Sequence, residues 1–170
     1  MKRITFMLTI LFVSTVTVLG QAGPGQEKNL RGLKGVRLVV MFGRAGAIDE
    51  AERPDILKLV EADAIAKFQK ASIPLFHWAN EMESAESPQL MVLITCDNAN
   101  GHVYPVVVKA KLLQRVRLAR DPSIEGDLAT WEHSGIGDPL TVDVIRRLVA
   151  GEVDWFINDY KTVNLATARR

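Results

Sequence analysis

Between Val106 and Leu118 the chain alternates with a period of two. Val106, Val108, Ala110, Leu112, Val116 and Leu118 make one apolar face, interrupted by Gln114, and Lys109, Lys111, Arg115 and Arg117 make a basic stripe opposite. A helix cannot segregate that pattern, whereas a strand with one buried face and one wet face does. The strand is predicted to run from about His102 to Arg120. Upstream, Leu90 to Cys96 is a second apolar run, and the turn cluster Asp97-Asn98-Ala99-Asn100-Gly101 joins the two as an antiparallel hairpin. Downstream, Asp121 to Gly126 reads as a turn and Asp127 to His133 as one more strand, broken by Gly135 and Gly137.

The rest of the chain supplies the partners that such a sheet needs. Val36 to Phe42 is apolar on both alternations, the mark of a strand with both sides at least partly covered. Gly43 to Arg53 is a charged loop. Leu57, Val60, Ala64, Phe68 and Ala71 recur at spacings of three and four, which predicts a helix from Pro54 to Ala71 with proline at its first position. Ile73 to Trp78 is a short strand candidate, placed at an edge or a start by Pro74, and Glu81 to Pro88 is loop. Asp138 is the expected cap of a last helix that carries an apolar face from Leu140 through Val144, Leu148, Phe156 and Tyr160 to Val163. Gly151 weakens it and Asn164 stops it.

The expected order is β-α-β-β-β-β-α. It makes an α+β two-layer sandwich, with two helices on one face of a mostly antiparallel sheet of about five strands. The first strand-helix-strand unit can set its strands in parallel. Residues 35–164 form one domain, preceded by a flexible arm at 23–34 and followed by a tail at 165–170 that frays.

The first 22 residues give an address. Lys2 and Arg3 precede an uncharged apolar run, Ile4 to Leu19, and Gly20-Gln21-Ala22 supplies small residues at a cleavage site. That is the layout of a secretory signal peptide. The run is short of the roughly 20 apolar residues of a membrane span and is diluted by Thr5, Thr9, Ser14, Thr15 and Thr17. Cleavage is expected after Ala22, with no span afterwards. Two of the 21 basic residues leave with the leader, so 19 face 20 acidic ones. This near-neutral balance argues against a nucleic-acid binder. Cys96 is the one cysteine, so no internal disulfide forms. An exported protein without disulfides points to a bacterial source, periplasmic or secreted.

No constellation of reactive residues stands out. His77, His102 and His133, with Cys96, lack the local spacing of metal ligands. Cys96 shares its face with Leu90, Val92 and Ile94 and reads as a buried thiol rather than a nucleophile. Trp131-Glu132-His133-Ser134-Gly135 lacks the first glycine of a nucleophile elbow. Gly43-Arg44-Ala45-Gly46 follows a strand but has neither phosphate-loop ending nor dinucleotide spacing, and Asp49-Glu50-Ala51-Glu52 repels phosphate. Trp131, Trp155, Phe156 and Tyr160 can line a pocket, although aromatics at helical spacing more often build a core. No catalytic residue, metal ligand or cofactor is therefore assigned. The candidate partner-binding residues are Lys109, Lys111, Arg115 and Arg117, which suit an acidic protein or an anionic polymer if they are not neutralised by a neighbouring strand, with Glu132 the first candidate to do so.

Ala129-Thr130-Trp131 with Gly135 and Gly137, then Val153-Asp154-Trp155-Phe156-Ile157-Asn158-Asp159-Tyr160 and Asn164, resemble a pattern of exported bacterial proteins of unknown function. The opening Leu33-Lys34-Gly35-Val36-Arg37-Leu38-Val39-Val40 fits it too. In outline the fold is similar to the N-terminal α+β domain of the Tol-Pal propeller family and to curli-secretion-type assembly proteins. The chain departs from the latter in having no lipoprotein cysteine. These resemblances imply an envelope interaction module with no stated activity, substrate or cofactor, and no functional residue carries over. The expected function is an exported, non-catalytic interaction or accessory module of the cell envelope. A periplasmic small-ligand binder with a pocket between sheet and helices stands second, and an enzyme without recognisable motif third.

Overall fold

A computed structural model of the chain describes residues 25–76, 87–99 and 102–165. The leader, His77, Trp78 and the tail beyond Leu165 lie outside the described residues. The fold is α+β: a four-stranded mixed sheet packed against two helices. The elements are β1 (Arg37–Phe42), α1 (Arg53–Ala71), β2 (Gln89–Thr95), β3 (Asn98–Ala99), β4 (His102–Val103), β5 (Val106–Leu118), β6 (Asp121–Gly137) and α2 (Val142–Leu165). A 3-10 helix, Gln26–Leu30, precedes them.

The main sheet runs β1-β2-β5-β6. β1 and β2 are parallel, joined by a crossover that contains α1, and the other two pairings are antiparallel. Four strands stand where about five were expected. Among the described residues, the Ile73–Trp78 candidate contributes an isolated parallel bridge, Val36 to Leu75, and Pro74 takes part there through its carbonyl, to which Val36 N–H donates. The long return strand is also split. Pro105, which has no N–H, separates the short β3–β4 pair from β5.

β6 corrects the reading of its glycines. The turn is Ala119-Arg120, and the strand then runs from Asp121 through Gly135 to Gly137 without a break. Both glycines lie where α2 crosses the sheet. A Cβ on Gly135 would stand 2.8 Å from Glu152 Oε1, and one on Gly137 would stand 2.9 Å from Val144 Cγ1. They allow close approach of helix and strand. The cap also moves. Asp138-Pro139 is a cis peptide, and Thr141 Oγ1, not Asp138, accepts from the Val144 N–H at the start of α2.

One alternation of every strand faces the helices. Leu90, Val92, Ile94, Val106, Val108, Ala110 and Leu112 are fully buried there, against Val60, Ala64 and Phe68 of α1 and Ile145, Val149, Val153 and Phe156 of α2. Phe68, Phe156 and Trp131 link the two helices to β6, with ring centroids 5.9 and 5.3 Å apart. The stretch expected as an arm docks onto this unit. Leu30 is fully buried, and Asn164 of α2 donates to the Leu30 carbonyl and accepts from Gly32 N–H. Beyond Leu113, where β2 pairing ends, β5 and β6 continue as a two-stranded ribbon.

Candidate functional site

The seam between α2 and β6 holds the one buried pair of ionisable side chains seen among the described residues. Trp131 and His133 share the inward alternation of β6 with the two glycines, and Glu152 comes down on them from α2. His133 Nδ1 and Glu152 Oε2 are 2.7 Å apart, and each side chain is 3% exposed. The Trp155 ring lies on His133 at 4.7 Å and 25°, and Trp131 lies at 6.5 Å and 22°. Trp131 Nε1 in turn donates to Asp159 at 2.8 Å. Burial pushes the Glu152 carboxyl above its ordinary range, and His133 offsets only part of that rise. The carboxylate thus fixes the imidazole in one orientation beneath an indole that is itself 47% exposed. No hydroxyl or thiol is hydrogen-bonded to His133 among the described residues.

The basic stripe lies on the opposite face of the sheet. Across the β5–β6 ladder Lys111 faces Glu132 at 3.7 Å, Arg115 faces Asp127 at 3.5 Å and Arg117 faces Glu125 at 2.6 Å. Three of the four cations therefore belong to a ladder of alternating sign. Lys109 sits between Leu93 and Ser134 in the register. Beside it the same face is apolar: Val39 is opposite Met91, Met41 opposite Leu93, and Val107 opposite Ile136. Met41 is 40% and Ile136 39% exposed, and no described element covers this face.

Cys96 is buried at the end of β2, and desolvation pushes its thiol up to about 11. His102 is exposed, away from His133, and no group of three metal-ligating side chains occurs among the described residues. A cleft of about 180 Å³ opens where the two helices begin, lined by Ile48, Ile56, Val142 and Ile145 with Asp49 and Glu52. No described helix is long and apolar enough to cross a membrane.

No protein-family model and no curated protein matches this chain.

Periodicity located the stripe and the buried thiol. It missed the His133–Glu152 pair, although one signal was available. Glu152 is a carboxylate one turn after Leu148 and one turn before Phe156, inside an otherwise apolar stripe of α2.

Proposed function

We propose that the chain is an exported, non-catalytic interaction module of the bacterial cell envelope, and that the open face of its sheet is the surface that binds a partner protein. One observation carries this reading: the described elements cover the sheet on one side only, and its other side presents Val39, Met41, Met91, Leu93, Val107 and Ile136 next to Lys109 and Lys111. A single-layer sheet face in water is normally polar throughout, so paired aliphatics across neighbouring strands favour an interface. The lysine stems extend the apolar area, and Lys109, whose register neighbours are Leu93 and Ser134, gives it a sign. The leader-like first 22 residues support action outside the cytoplasm. The cleft at the helix starts, about 180 Å³, falls below the several hundred Å³ usual for a small-molecule site, and so gives the ligand-binding reading less support.

Site-specific photo-crosslinking tests it. A benzophenone amino acid at Met41 is expected to give a discrete adduct in cells. The same group at Leu59, somewhat more exposed on the outer side of α1, is expected to give none. The adduct should disappear when Leu93→Glu is added, with the melting temperature unchanged. Adducts from Leu59 alone, or from both positions alike, would overturn the reading.

A further inference from the structure

β6 is an edge strand, and two of its outward backbone groups are already met by imitations of a peptide. Gln26 Oε1 accepts from the Glu132 N–H at 2.9 Å, and Asn29 Nδ2 donates to the Thr130 carbonyl at 2.6 Å. Two side-chain amides of the 3-10 helix thus stand where a neighbouring strand would stand. The β5–β6 register is unbroken from Trp131 to Gly137. Outward direction repeats every second residue, so the N–H and C=O of Ser134 and Ile136 continue the row. Neither residue's backbone has a partner on that side among the described residues.

The usual protections of an edge are missing here. From Glu132 to Gly137 β6 has no proline, no lysine and no bulge. Trp155 overhangs the stretch from the helix side and Ile136 flanks it on the open face. Glu132 is the one acidic residue of this stretch, which has no Lys or Arg; Lys111 meets it from β5, and a second cation suits its free side. A second copy paired about Gly135 sets Glu132 opposite Asp138, like charges across the ladder, whereas pairing about Ser134 sets Glu132 opposite Ile136 without that conflict, so self-pairing is an outcome the test separates.

We propose that the stretch from Glu132 to Gly137 takes up an extended segment of a partner polypeptide as a fifth strand, a segment that sets a lysine or arginine beside Glu132 and apolar residues beside Ser134 and Ile136. Main-chain bonds to Ser134 and Ile136 supply the register, and Trp155 supplies an apolar ledge for one side chain. This rests on the reading of the chain as an interaction module and names the class of partner.

Amide hydrogen exchange on the full chain tests it, with a peptide of alternating lysine and valine as the probe. At about ten times its Kd the peptide is expected to slow exchange at Ser134 and Ile136 about tenfold. The same peptide with alternate amides N-methylated should give no protection, and an alternating glutamate-valine peptide should bind more weakly. Ile136→Pro removes an outward N–H that an edge strand can lose and is expected to abolish protection at Ser134. If that variant does not fold, the N-methylated peptide decides the matter on the wild-type chain. Protection that survives N-methylation, that falls elsewhere than Ser134 and Ile136, or that grows with the chain's own concentration in the absence of peptide overturns the proposal. Adducts from Met41 that persist without edge protection would remove the strand site and leave the interaction module standing.

Discussion

His133 and Glu152 show how a residue-scale choice sets conditions for the whole chain. Burial raises the Glu152 carboxyl above its ordinary 4.5, so the folded state holds that proton more tightly than the unfolded chain does. The stability tied to it is full below about 4.5 and is lost as the pH rises through the raised value. Wild type is therefore expected to lose denaturant midpoint relative to Glu152→Gln as the pH climbs above 4.5. Parallel midpoints across that window would contradict the assignment. Cys96 is the second test at this scale. With its thiol pushed up to about 11 and no exposed surface, it should label slowly in the native state and quickly in denaturant. Fast native labelling would place it outside the core. The burial of Cys96 was legible from parity with Leu90, Val92 and Ile94. The His133–Glu152 contact was not, because strand parity says which face a histidine takes and nothing of which helix residue lands on it.

At the scale of elements, local patterns named most of the pieces and misjudged their ends. α1 and the apolar face of β5 follow directly from spacing: Val60, Ala64 and Phe68 are fully buried, as are Val106, Val108, Ala110 and Leu112. The glycines of β6 misled. Gly135 and Gly137 have the look of breakers, yet they exist for the helix above them, and a clearance between two elements leaves no local signature. Gly126 is the contrast, since a Cβ there would meet nothing within 4 Å, and the two sites give a paired prediction. Gly137→Ala must push Val144 Cγ1 from 2.9 Å and is expected to cost about 1 to 3 kcal/mol. Gly126→Ala, in the exposed ribbon, should be neutral or stabilise by about 0.4 to 1 kcal/mol through the unfolded chain. Equal losses at both sites in chemical denaturation would show that α2 does not press on β6 as described. The stripe, too, was visible as a stripe, but its cross-strand carboxylates depend on register. Glu132 was named and Asp127 lay inside the expected strand without its partner being assigned, while Glu125 joins them because β6 starts earlier than its turn-like residues suggest.

For the whole molecule, the α+β class was legible because its two periodicities occupy separate segments, and the strand count was not, because Pro74 reduces one candidate strand to a single bridge. Export is a prediction of the same scale. Cleavage after Ala22 would leave Gly23 as the first residue, and intact mass of the exported protein checks it; a chain that still begins at Met1 would contradict the proposed location. The face of the sheet that no described element covers is the proposed binding surface. Hydroxyl-radical footprinting of the methionines reads this most directly, since Met41 and Met91 lie opposite neighbours on the open face. The account predicts that both oxidise readily in the purified protein and are protected in the cell envelope, while Leu59 on the outer side of α1 is modified equally in both. Equal oxidation of Met41 in the two settings would contradict it.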